Sequence, residues 1–106
     1  MNAALLKEEI KIYKLNTEKT RAGQNKPRWD ELKYQTRAFV RFNSENQVID
    51  EGEVWYPINR TFVVRSYVNV TETDQIEYDG KRYKILSINK NIYYNDIEIN
   101  TILINN

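Results

Sequence analysis

The stretch Gln75–Asn89, QIEYDGKRYKILSIN, holds two alternating strand patterns folded about a single Asp-Gly, and its reading decides the fold. Asp-Gly between alternating apolar residues is a strong hairpin signal, because both central positions of a type I′ turn need positive φ. With Asp79 and Gly80 as that turn, Tyr78 faces Lys81, Glu77 faces Arg82 and Ile76 faces Tyr83. One charge pair and one apolar pair then fix the register. The return strand runs on through Ile85, Leu86 and Ile88. After a turn read as polar near KNIYYND, a last strand, IEINTILI, follows.

Working outward towards the N-terminus, RTFVVRSYVNV (60–70) sets Phe62, Val64 and Ser66 against Val63, Arg65 and Tyr67. YQTRAFVRFN (34–43) puts Tyr34, Thr36, Ala38, Val40 and Phe42 on one face and Gln35, Arg37, Phe39 and Arg41 on the other, the first set being the better core face. EEIKIYKLN (8–16) alternates about Ile10 and Ile12, with a short helical turn expected before it at residues 3–7. The polar run TEKTRAGQNKPR (17–28), with Gly23 and Pro27, reads as a loop, and Trp29 after it as a lid folded over the core. The sequence therefore predicts an all-β domain over residues 1–106, a small antiparallel barrel or sandwich of about five to six strands with long loops. Its expected core is Ile10, Ile12, Val40, Phe42, Phe62, Val64, Ile76, Tyr83, Ile85, Leu86, Ile88, Ile97, Ile99 and Leu103.

Composition supports this reading. The 106 residues include 8 Tyr and 3 Phe but only 3 Gly and 2 Pro, an enrichment that suits pleated, half-buried surfaces. One domain is what such a length supports. Without cysteine there is no disulfide framework and no thiolate metal site, which fits a reducing compartment. MNAALLKEEIK carries acidic residues where a signal peptide would continue its apolar core, and no apolar run approaches a membrane span. Two Asn-x-Thr triplets, at Asn59 and Asn69, read as accidents of an Asn-rich chain.

Net charge is +1, but it is distributed unevenly. Residues 1–43 hold ten Lys/Arg against five Asp/Glu, residues 44–59 hold four acids and no base, and residues 60–106 hold six of each. A solvated loop is the commonest cause of such an acidic run. The functional reading is a segment that meets a basic surface on another molecule or on a second copy of the chain. Its candidate contact residues are Glu45, Asp50, Glu51, Glu53, Trp55 and Tyr56, since Val54, Trp55, Tyr56 and Ile58 are more apolar than a solvated loop requires.

Enzymatic readings fare badly. The chain has no histidine for general base work, no cysteine nucleophile and no Gly-rich phosphate loop. Adjacent acids such as Glu8 and Glu9 point to opposite faces of a strand and share no site, whereas Glu51 and Glu53 could; with no cleft or partner acid to argue for, neither an enzyme nor a cofactor is expected. Single-strand nucleic-acid binding is the rival, because Arg37, Phe39 and Arg41 form a cation-aromatic-cation stripe. Near-zero net charge weakens the electrostatic attraction such binding needs.

The order of landmarks resembles a known family. IKIYKL, a Gly-containing loop leading to a Trp, TRAFV, a long acidic segment, FVVRSYVNVTETDQIEYDGKRYKILSI and a final IEINTILI together look like the head-tail adaptor, or head-closure, proteins of tailed bacteriophages. The most telling part is Val64–Ile88; LLKEEI departs from the Arg that the family commonly carries before its first strand. The resemblance implies a structural virion protein at the head-tail interface, passing through the host cytoplasm during assembly. It implies a homo-oligomeric ring beneath the portal, dodecameric to match it, with the portal and a tail-completion protein as partners, passive contact with packaged DNA and no membrane. Arg37 and Arg41 join the acidic segment as interface candidates, with Asp79 and Gly80 as the structural turn. A tail-completion or minor tail protein is the alternative within the virion.

Overall fold

The computed structural model describes residues 6–19, 21–42, 48–50, 53–55 and 59–104; at 42, 48–50 and 53–55 only the backbone is considered. The described residues form eight strands and no helix: β1 (Glu8–Lys19), β2 (Asn25–Phe42), β3 (Val48–Asp50), β4 (Glu53–Trp55), β5 (Asn59–Arg65), β6 (Gln75–Tyr78), β7 (Lys81–Asn91) and β8 (Asp96–Leu103). Leu6 and Lys7 carry no helical turn, and the rest of the expected N-terminal turn lies outside the described residues.

Six strands close into one antiparallel barrel in the order β1-β2-β5-β8-β7-β6, with β6 returning to β1 through Lys11–Tyr13 against Gln75–Glu77. Closure leaves no edge around the barrel wall, which removes the usual liability of a small sheet. The inward side chains are those an alternation of two dictates: Ile10 and Ile12 from β1, Ala38 from β2, Phe62 and Val64 from β5, Ile76 from β6, Tyr83 and Ile85 from β7, Ile97 and Ile99 from β8. Phe62 sits centrally, edge-on to Tyr78 (5.6 Å, 70°) and Tyr83 (5.4 Å, 73°). Val40, Ile88 and Leu103 pack against this cluster half-buried, and the Phe42 side chain lies outside the description.

Leu86 is a correction: it is 52% exposed, not core. Ile85 pairs with Thr101 and Ser87 with Asn100, so β7 holds one extra residue and bulges there. A bulge shifts the parity of a strand. Inward positions run Tyr83, Ile85 and, because of the shift, Ile88, while Leu86 beside the inward Ile85 is turned to solvent. Val63 is a second departure, buried on the outer side of β5 so that this strand is covered on both faces.

The Asp79-Gly80 turn has φ of 54° and 74°, with Tyr78 opposite Lys81, Glu77 opposite Arg82 and Ile76 opposite Tyr83. Arg82 Nε lies 3.5 Å from Glu77. At this end of the barrel Arg60 closes the interior: its Nε donates to Tyr83 Oη (2.7 Å) and its guanidinium sits 5.4 Å from the Tyr78 ring centre. Burial, and then the charge of Glu8, raise the Tyr78 phenol pKa above its ordinary value. The opposite end is plugged by Val68, whose N–H donates to the Arg65 carbonyl (3.1 Å).

The segment read as a loop over 17–28 is instead the far half of a long hairpin. β1 and β2 stay paired from Glu8–Ala38 out to Lys19–Asn25, with irregularities at Ile12/Tyr13 and Lys14/Asn16. Beyond Tyr13 and before Leu32 these strands have only each other as ladder partners. Six residues of strand, Lys14 to Lys19, make an arm of about 20 Å. Pro27 is tolerated because β2 has a free edge there. The radius of gyration, 15.6 Å, exceeds the roughly 13 Å of a compact chain of this length, and the arm is one cause.

Candidate assembly interface

Antiparallel topology sorts the connections to two ends. The arm, the link from Ser66 to Asp74 and the β7–β8 turn leave from one end; the Asp79-Gly80 turn and the connection holding β3 and β4 leave from the other. The barrel is thus equipped differently at its two ends.

At the first end, the arm is held by side chains on its flank. Trp29 is half-buried, and its Nε1 donates to the Thr73 carbonyl (2.8 Å), while the Trp29 carbonyl accepts from Arg82 Nη1 (2.8 Å). The guanidinium of Arg82 stacks 3.7 Å from the centre of the Tyr13 ring. Trp29 therefore pins the arm to the link and to β7 on the outside of the barrel, a correction to its reading as a lid over the core. Lys33 Nζ reaches Asp74 Oδ2 (2.8 Å), and that buried carboxylate also accepts from the Thr71 N–H (2.8 Å). Between Leu15, Trp29, Asp74, Lys84 and Ile104 a cleft of about 370 Å³ remains open.

Farther out, Arg28 pairs with Glu18 and with Asp30 (3.2 Å), and the hydrogen bond it donates to Glu18, then the charges of Glu18 and Asp30, raise the guanidinium pKa. Lys19, Arg21 and Lys26 at the arm's tip are exposed and make no ion pair among the described residues. Gly23, with φ of 80°, turns the chain there.

The β7–β8 turn is not the polar turn the sequence suggested. Ile92, Tyr93 and Tyr94 are 82%, 89% and 63% exposed, and nearby Tyr67 is 70% exposed. The turn is nonetheless ordered: the Asn91 carboxamide oxygen accepts from the Tyr93 N–H (3.1 Å), Asn95 adopts a φ of 53°, and its carbonyl accepts from the Ser66 N–H (2.9 Å). The available signal was three consecutive apolar or aromatic residues between two asparagines, a run more apolar than a solvated turn requires.

The interface candidates fall in separate places. Arg37 and Arg41 are exposed on the outer face of β2, and Arg41 Nη2 lies 3.7 Å from Glu98. Phe39 between them is half-buried opposite the buried Val63, so the stripe offers little aromatic surface for stacking bases. At the other end, β3 and β4 form a separate two-stranded sheet in which Asp50 is opposite Glu53 and Val48 opposite Trp55. The acidic run thus contains a hairpin of its own. Glu45, Glu51 and Tyr56 lie outside the described residues. Among the described residues there is no group of acids, histidines or cysteines able to hold a metal, and no helix long and apolar enough to cross a membrane.

The described residues thus form a closed six-stranded barrel with an arm and an exposed aromatic turn at one end and the β3–β4 pair leaving from the other. The chain belongs to the phage head completion protein family, whose model matches residues 1–100. It is thus a structural protein of the phage particle. Among solved structures it is similar to a chain of the virion of a native gene transfer agent particle, with a TM-score of 0.74 at 14% identity, covering 93% of this chain and 96% of that one. It is also similar to protein SF1141 from Shigella flexneri 2a (TM-score 0.66, 17% identity, 97% and 96% covered). The protein xkdH of the phage-like element PBSX from Bacillus subtilis is a further likeness (TM-score 0.60, 12% identity, 91% and 92% covered). At such identities the likeness is one of fold. A search of curated protein sequences gives no significant match.

Proposed function

We propose that this protein joins the DNA-filled head to the tail, assembling as a ring of identical copies beneath the portal and closing the head. The carrying observation is the inequality of the two barrel ends: a basic-tipped arm and an aromatic turn at one, the acidic β3–β4 hairpin at the other. A joint between two unlike partners needs two unlike faces. Head completion as a family role supports the same reading. Glu45, Asp50, Glu51, Glu53, Trp55 and Tyr56 are assigned to contacts at one face, where Trp55 and Tyr56 would supply area at low entropic cost.

Heads filled in the absence of this protein test the proposal. They should lose DNA and fail to accept purified tails, and adding the purified protein should restore both properties. Heads that join tails normally without it would overturn the reading, and tails unable to mature without it would move it to tail completion.

A further inference from the structure

We infer that the tip of the β1–β2 arm binds the phosphate backbone of duplex DNA, through Lys19, Arg21 and Lys26 and without regard to sequence. The inference goes beyond the joining role and rests on it only for which duplex is met, the one that fills the head. Its first motive is the way the arm's charges are disposed. Lys14 lies 3.9 Å from Glu31, and Arg28 is shared between Glu18 and Asp30, so the shaft is neutralised by its own side chains. Residues 19–26 hold three cations and no acid; all three cations are exposed, and none makes an ion pair among the described residues. Glu18, directly across the ladder from Lys26, is engaged by Arg28.

The chemistry of the tip separates a phosphate partner from a protein one. The cores of protein interfaces are rich in aromatic side chains and poor in lysine. Here the cations stand among Thr20, Ala22, Gly23, Gln24 and Asn25, with no side chain more apolar than alanine. Such a tip has little to bury against a folded surface, whereas phosphate oxygens accept hydrogen bonds from lysine, arginine and amide side chains. Contacts of that kind position a protein on a duplex and carry no sequence information.

Shape and field agree with this. The major groove of a duplex is about 12 Å wide and admits a two-stranded β-ribbon. Beyond Tyr13 and Leu32 the arm is such a ribbon, about 20 Å long and turned at Gly23. It leaves the barrel at the end opposite the connection that holds the four acids of residues 44–59, a separation that the net charge of +1 hides. A polyanion therefore attracts one end of the molecule and repels the other, and the arm leads the approach. Each neutralised phosphate releases counterions, so three contacts give a slope of about −2.7 in log K against log salt, or roughly a 40-fold loss of affinity from about 50 to 200 mM. One copy alone then binds weakly, and several copies held at one duplex bind far more strongly.

Fluorescence anisotropy of a labelled mixed-sequence duplex of about 30 base pairs, titrated with the full-length protein at salt from about 25 to 200 mM, tests the contact. The wild-type chain should bind with the slope given above. Lys19→Gln/Arg21→Gln/Lys26→Gln should keep the wild-type melting temperature, lose affinity on the order of ten-fold or more at low salt and flatten the slope towards zero. Lys81→Gln/Lys84→Gln/Lys90→Gln removes the same charge from β7 and should bind within about three-fold of wild type at an unchanged slope. No binding by the wild type at the lowest salt, or equal losses in the two triple variants, would overturn the contact. A tip variant that binds the duplex normally yet fails to occupy heads would also overturn it and assign the tip to an acidic protein surface. Duplex binding through the tip by a protein that heads need neither to keep DNA nor to accept tails would support the contact and refute the joining reading alone.

Discussion

Truncating Phe62 to Ala tests the register of the whole barrel. The ring is fully buried and contacts Tyr78 and Tyr83 edge-on at 5.6 and 5.4 Å, so its loss removes a large side chain and two favourable aromatic pairs. Buried Phe→Ala changes cost about 3–5 kcal/mol, and the two ring contacts place this one in the upper half, about 4 kcal/mol. A domain of this length has a total stability of roughly 5–15 kcal/mol, so the variant retains little or only part of it. Urea unfolding followed by tyrosine and tryptophan fluorescence should show a midpoint about 2 M lower at an unchanged slope near 2 kcal/mol per M. Phe62→Leu, which keeps most of the volume, should cost about 1.5 kcal/mol or less. A loss under about 1 kcal/mol for Phe62→Ala would mean a surface position and refute the inward phase assigned to β5.

Three further outcomes follow from particular residues. Gly80→Val should cost about 1–3 kcal/mol, because a β-branched residue must take a positive φ within a hairpin tied to the core; the space for a side chain is open. Gly23→Val meets the same φ at the arm's tip, where rearrangement leaves the barrel intact, and should cost less in the same urea titration; equal losses would contradict this. Lys33→Met leaves the buried Asp74 carboxylate without its cation and should destabilise by about 3 kcal/mol, with part recovered in the Lys33→Met/Asp74→Asn double variant. Leu86→Ser should change stability by less than about 0.5 kcal/mol, against at least about 2 kcal/mol for Ile85→Ala; calorimetry showing the two to be alike would refute the outward orientation of Leu86.

The parts of the fold that could be read in advance are those with one wet and one dry face. Ile10 and Ile12, Phe62 and Val64, Ile97 and Ile99 announce themselves by alternation, and Asp79-Gly80 by the φ its turn demands. The arm had no such mark. A two-stranded ribbon solvated on both faces keeps no apolar period, so Thr17–Arg28, with Gly23 and Pro27, resembled a loop. Leu86 was misplaced because a single inserted residue changes parity without leaving a trace in composition. Leucine there is chemically identical to leucine in the core.

The proposed interface was legible in part. The acidic run and its aromatic residues stood out by charge, but the hairpin of Val48–Asp50 and Glu53–Trp55 did not, since three-residue strands are shorter than any periodic signal. The turn at Ile92–Tyr94 was visible as letters and misread as chemistry. Tyrosine serves equally in cores and in contacts, and only its exposure here separates the two.

Imaging of the mature particle by electron cryomicroscopy, focused on the tail-bearing vertex, tests the joining role most directly. A head-to-tail joint of this kind should appear as a closed ring of six-stranded barrels between portal and tail, with the arm end and the acidic end facing different partners. Barrels found only along or at the far end of the tail, or a vertex without them in particles that carry tails, would contradict it.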